Sequence, residues 1–175
     1  MAETINFDSF LKAWEELLNT DDGLKSRLKP WRTFIGGPTP YPGPGPYPPP
    51  NLLYDPSGWT KAKGYKSSIL DGKELVEIIV PSKFTFTIKV DKGIFSVKKE
   101  KARDPCLSVK MTLQTFKDLM TAKDRVIWCL TDPENEVSYK EGIALSDWTT
   151  IFETLVVGQE LLERKFQFWE FIEKL

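Results

Sequence analysis

The side chains able to do acid–base, nucleophilic or metal chemistry are few in this sequence, and their types restrict that chemistry sharply. Histidine is absent, which removes imidazole-based triads, haem ligation and most catalytic zinc sites. Two cysteines remain, Cys106 and Cys129. Without CxxC spacing they make neither a zinc site nor a redox pair, and each sits in an apolar run, where a thiol behaves as a small hydrophobe. Acid–base work then falls to Asp, Glu, Tyr or Lys. Tyr139 and Glu141 are the pair to weigh, because they alternate along a strand pattern and face the same side. Such pairs are common on wet sheet faces, so the sequence is read as non-catalytic, with no metal site and no cofactor.

Charge narrows the partners. Lys and Arg (24) nearly balance Asp and Glu (25) over 175 residues, for a formal charge of −1. A nucleic-acid binder needs an excess of cations to displace phosphate counterions, and an anionic membrane surface would want the same. The short basic run at Lys98, Lys99, Lys101 and Arg103 reads as a solvated strand end. No apolar stretch reaches the ~18 residues of a membrane-spanning helix, and the acidic start Met1-Ala2-Glu3-Thr4 does not read as a signal peptide. A cytoplasmic protein without integral membrane association is expected. Six Trp and eleven Phe exceed what a minimal core needs, and surplus aromatic surface goes to a ligand cavity or an interface.

The elements that must position these residues follow from periodicity. Residues 6–19 form an amphipathic helix capped by Asn6 or Asp8, with Phe7, Phe10, Leu11, Trp14, Leu17 and Leu18 on its apolar stripe. From residue 75 the period becomes two. A short strand at 75–80 breaks at Pro81-Ser82, and Phe84, Phe86, Ile88 and Val90 then alternate with polar residues in an antiparallel strand with one buried and one wet face. Asp91-Lys92-Gly93 turns the chain into a strand at 94–98, and Leu107, Val109 and Met111 mark another. Thr112 caps a short helix with Phe116, Leu119 and Met120 inside. Residues 126–130 read as a buried strand containing Trp128 and Cys129, followed by a turn at 132–135 and a strand ending at Gly142. Ser146 or Asp147 opens one long C-terminal helix whose apolar side carries Trp148, Ile151, Phe152, Leu155, Val156, Leu162, Phe166 and Trp169.

Residues 38–50, PTPYPGPGPYPPP, allow neither helix nor sheet interior, because proline fixes φ and removes amide donors. The tract reads as a stiff strap pinned by Tyr41, Tyr47, Tyr54 and Trp59, or as a polyproline ligand for an aromatic groove. The expected organisation is thus residues 1–60 as N-terminal helix and strap, and residues 61–175 as an α+β domain: an antiparallel sheet covered on one side by helices, ending in an extended C-terminal helix.

Over roughly residues 75–159, and more loosely over the N-terminal helix, the sequence resembles the sterol carrier protein type 2 domain. Phe86-Thr87-Ile88-Lys89-Val90-Asp91-Lys92-Gly93 matches that family's apolar strand ending in a charged turn with glycine. Asp104-Pro105-Cys106-Leu107-Ser108-Val109-Lys110-Met111 is similar to its strand before the short helix, and Phe116-Lys117-Asp118-Leu119-Met120-Thr121-Ala122-Lys123 to its helix ending in Met-Thr-Gly-Lys. The family's Gly-Lys-Leu-x-Ile-x-Gly strand is represented by residues 136–142, in which only Gly142 is kept. The proline tract and the extended terminal helix are additions.

The resemblance implies an apolar cavity between sheet and helices. Phe84, Phe86 and Ile88 would form one wall, Phe116, Leu119 and Met120 a second, Ile127 and Trp128 a third, and Trp148, Phe152, Leu155 and Val156 the lid. A filled core at the same periodicities needs no ligand. The expected function is a non-catalytic carrier of an apolar ligand: a lipid, a fatty acyl or acyl-CoA, or an aromatic hydrocarbon derivative. The alternative is an accessory subunit or interaction module of a larger enzyme complex, its cavity filled or holding an apolar intermediate. The strap or the C-terminal helix would then meet the protein partner.

Overall fold

The computed structural model describes residues 5–22, 24, 31–33, 52–54, 65–66, 70–121, 126–143 and 145–175. The proline tract, with Tyr41, Tyr47 and Trp59, lies outside the described residues. Helix α1 (Phe7–Thr20) starts at the expected cap: the Asn6 side chain accepts the Ser9 N–H at 2.9 Å, and the Ser9 hydroxyl accepts the Asn6 N–H at 2.9 Å. This reciprocal arrangement satisfies two amides that the first turn cannot. Three short strands that the sequence reading did not foresee follow, β1 (Trp31–Thr33), β2 (Leu52–Tyr54) and β3 (Tyr65–Lys66), with β1 pairing antiparallel to both others.

The main sheet has five strands, β4 (Glu74–Val80), β5 (Phe84–Asp91), β6 (Ile94–Lys98), β7 (Leu107–Lys110) and β8 (Glu136–Tyr139), in the order β6-β5-β4-β7-β8. The β5–β6 hairpin turns at Lys92 (φ 50°) and Gly93 (φ 73°), the paired positive φ values that match the twist of the flanking strands. Three of its pairings are antiparallel, but β7 runs parallel to β4, with Val76 opposite Leu107 and Ile78 opposite Val109. A parallel neighbour requires a crossover, and residues 99–106 provide it across the outer face of the sheet.

That crossover changes the expected wet face. Thr87, Glu77 and Ser108 are register partners across β5, β4 and β7. The Thr87 hydroxyl donates to the Glu100 carbonyl at 2.8 Å, and the Glu77 carboxylate accepts from the Ala102 N–H at 2.9 Å and the Ser108 hydroxyl at 2.7 Å. Glu74 accepts the N–H groups of Arg103 and Asp104, each at 2.8 Å. Glu77 and Thr87 are therefore buried, as a polar row can be when its hydrogen bonds are met.

Helix α2 (Leu113–Met120) begins where expected, with the Thr112 hydroxyl accepting the Thr115 N–H at 3.1 Å. The segment expected as a buried strand is instead helix α3 (Val126–Thr131), and it buries Val126, Cys129 and Leu130. That i, i+3, i+4 spacing is a helical stripe; a run of five apolar residues does not separate strand from helix by periodicity alone. The expected single C-terminal helix is two, α4 (Leu145–Arg164) and α5 (Phe166–Lys174), broken at Lys165 (φ −132°, ψ 83°). No proline or glycine causes the break. It lets Phe168 pack on Phe10 of α1, ring centroids 5.8 Å apart, while Lys117 of α2 donates to the Glu173 carbonyl at 3.0 Å.

Helices and sheet meet over an aromatic core. Phe7 stacks on Phe84 at 4.2 Å, Phe84 meets Phe116 at 4.9 Å, and Trp14 meets Phe86 at 5.4 Å and Phe10 at 5.7 Å. Helix α1, although read with the strap, belongs to this same core. The Trp14 indole N–H donates to the Thr154 carbonyl of α4 at 3.0 Å, and its ring lies where a side chain at Gly158 would be: an added Cβ would fall 2.3 Å from Trp14 Cζ2.

Two outcomes follow from this packing. Gly158→Ala raises helix propensity yet lowers stability by about 1–3 kcal/mol, because the methyl overpacks against Trp14; urea denaturation measures it. Cys106 and Cys129 are fully buried, and burial pushes the Cys106 thiol pKa up, against the opposing pull of Lys73. Ellman's reagent therefore labels both thiols in denaturant and neither in the native protein at pH 7.

Candidate ligand-binding site

The residues proposed from sequence to enclose one cavity separate into three environments. Phe86, Ile88, Phe116, Leu119, Met120 and Leu155 are buried, and Phe84 is half-buried against Phe7 and Phe116. Between sheet and helices their space is taken by Phe7, Phe10 and Trp14 of α1. Ile127 and Trp128 do not form an inner wall. They are 52% and 56% exposed, because the helical form of α3 turns Val126, Cys129 and Leu130 inward instead. Val156 also faces outward; the inner stripe of α4 runs Ile151, Leu155, Gly158 and Leu162.

Trp148 and Phe152 do line an accessible space. They are one turn apart on α4, with rings stacked at 5.8 Å and 29°. Tyr139, at the end of β8, meets the Trp148 ring edge-on at 5.4 Å and 76°. With Lys140, Glu141, Gly142 and Ile143 of the connecting turn they enclose an open groove of about 470 Å³. Gly142 (φ 77°) provides the left-handed residue that brings the chain from β8 back toward α4. Ile143, Trp148 and Phe152 rest on the core, so the groove floor is anchored rather than free to collapse. The sequence reading assigned Trp148 and Phe152 to a lid and weighed Tyr139 only as an acid–base residue. Ile143 passed unnoticed, since it lies between the turn and the helix start, where neither strand nor helix period applies.

The polar groups around the groove are largely committed. The Tyr139 hydroxyl donates to the Leu130 carbonyl at 3.3 Å, and burial pushes its phenol pKa up, with the Cys129 sulfur adding to the shift. That direction is opposite to what a general base at neutral pH requires. Lys140 forms an ion pair with Asp104, which holds the Asp104 carboxyl below and the Lys140 ammonium above their ordinary ranges. Glu141 stands exposed on the rim, and the Asp147 carboxyl beside Trp148 is raised by burial. Among the described residues no cluster of ligands suits a metal ion, and no helix is long and apolar enough to cross a membrane.

Comparison with known proteins finds no matching protein-family model and no curated protein similar in sequence. Solved structures do match. A crystal structure of sterol carrier protein 2 superposes with a TM-score of 0.50 at 9% identity, over 87% of this chain and 95% of its own. The UbiJ-SCP2 ubiquinone synthesis protein gives 0.45 at 11% identity over 90% and 96%. The sterol carrier protein domain 2 of Helicoverpa armigera gives 0.43 at 8% over 89% and 96%. The resemblance read from the strand and helix motifs is thus a likeness of fold: this chain has the mixed α+β fold of sterol carrier protein 2, a five-stranded sheet flanked by helices.

Proposed function

We propose that the protein is a non-catalytic carrier of an apolar small molecule or lipid, held in the groove formed by Tyr139, Ile143, Trp148 and Phe152. The observation that carries this reading is the groove itself. Three aromatic rings and an isoleucine line a space of about 470 Å³, within the range of small-molecule sites. Each methylene taken out of water there contributes about 0.8 kcal/mol, so a modest hydrocarbon binds without polar contacts. The sterol carrier fold is consistent with this role, and the engaged state of Tyr139 and Lys140 favours binding over catalysis. Phe84, Phe86, Ile88, Phe116, Leu119, Met120 and Leu155 then serve as the scaffold behind the groove rather than its lining.

A second reading has its own observation. The space between sheet and helices is occupied by α1 aromatics, while Ile127, Trp128 and Phe166 (70% exposed) present apolar surface of the kind partner proteins cover. In that reading the protein is an accessory subunit or interaction module. Size-exclusion of the native complex from its source separates the two: co-elution with a larger assembly favours the second, a lone monomer the first.

Ligand binding is tested by thermal denaturation with a panel of fatty alcohols, acyl chains and aromatic hydrocarbons. A ligand at 100 times its Kd adds about 2.7 kcal/mol, which raises the melting temperature by several degrees. Trp148→Ala is expected to abolish most of that shift, whereas Trp128→Ala on the exposed face of α3 leaves it. No shift across the panel, or an equal loss in both variants, rejects the groove as the site.

A further inference from the structure

We infer that the groove is selective for uncharged apolar ligands over anionic amphiphiles, and that the Asp104–Lys140 ion pair sets this selectivity. The inference rests on the groove being a ligand site and concerns which chemical class enters it. Among the described residues that line the groove, Lys140 is the one cation. It would be the natural anchor for a carboxylate or phosphate headgroup, but its ammonium is held by Asp104, and its backbone N–H is fixed to the Cys106 carbonyl at 2.8 Å. Asp104 is itself held in place through its own N–H by Glu74 at 2.8 Å, so the pair is built onto the crossover rather than formed by two free side chains.

Among the described residues, Lys73 lies on the Asp104 side of the pair, where it acts on Asp104 and Cys106, and the other charges at the groove are carboxylates. Glu141 is in the lining and Asp147 is adjacent to Trp148. An incoming anion therefore meets a neutralised cation and two acids, and must shed water without gaining a counter-charge. An uncharged chain or ring system meets the aromatic faces and Ile143, and brings no charge to be desolvated at the rim.

The test compares two ligands of one chain length, 1-dodecanol and dodecanoate, by displacement of N-phenyl-1-naphthylamine at pH 7. The wild-type protein is expected to bind dodecanol about tenfold more tightly. Asp104→Asn removes the competing carboxylate and frees Lys140. Dodecanoate should then gain about fivefold, the upper end of what an exposed ion pair contributes, while dodecanol affinity stays within about twofold. The double variant Asp104→Asn with Lys140→Gln should lose that gain. The Asp104 side chain is 75% exposed, and a circular-dichroism melt confirms that the Asn variant is folded. Equal binding of the two ligands by wild type, or a ratio unmoved by Asp104→Asn, overturns the selectivity while leaving the groove as a site. Failure of every probe to bind overturns the groove reading, and the selectivity falls with it.

Discussion

One contact fixes how the two halves of this structure meet: the Trp14 indole laid on the bare backbone of Gly158. Trp14 is fully buried, its ring touches Phe10 and Phe86, and its N–H is satisfied by the Thr154 carbonyl. A mid-helix glycine costs α4 about 1 kcal/mol relative to alanine, and close approach of the indole explains why one is used. Because α1 reaches α4 at this point, its other aromatic residues, Phe7 and Phe10, are carried over the inner face of the sheet. Among the described residues the space between sheet and helices is occupied by these side chains, and the groove of Tyr139, Trp148 and Phe152 lies at the flank of α4, beside the end of β8.

The outer face of the sheet is governed by two carboxylates. Glu77 and Glu74 bind the N–H groups of the crossover at Ala102, Arg103 and Asp104, which lets β7 lie parallel to β4 without stranding polar groups. The same crossover delivers Asp104 to Lys140, at the end of β8. The charge state of the groove rim therefore depends on a loop that contributes no lining residue. Local sequence around the groove, Tyr139-Lys140-Glu141, shows an available lysine; only the crossover removes it from availability.

Helix α4 shows how one element serves both sides. Ile151, Leu155, Gly158 and Leu162 face the core, and Trp148 and Phe152 are turned partly away from it. The break at Lys165 then redirects α5 so that Phe168 and Ile172 are buried while Phe166 stays exposed. A single uninterrupted helix would carry Phe168 past the α1 surface it packs on.

Composition and periodicity by themselves determined the local elements and the chemistry excluded. The absence of histidine is a property of composition. The Asn6 cap, the α1 stripe, the sequence alternation of β5 to β7 and the Thr112 cap are set by residues within a few positions of one another, and such short-range patterns are legible. Segment 126–130 is a helix where a strand is expected, because five apolar residues fit either element until a neighbour chooses the face. The parallel β4–β7 pairing, the burial of Glu77 and Thr87, and the packing of Trp14 against Gly158 were decided only by tertiary structure. Each depends on residues that sequence separates widely, as Trp14 is from Gly158, and no local period encodes which apolar stripe meets which. The apolar character of the site was visible in Trp148 and Phe152; its place between the end of β8 and the flank of α4, and the paired lysine beside it, came from how the distant segments pack.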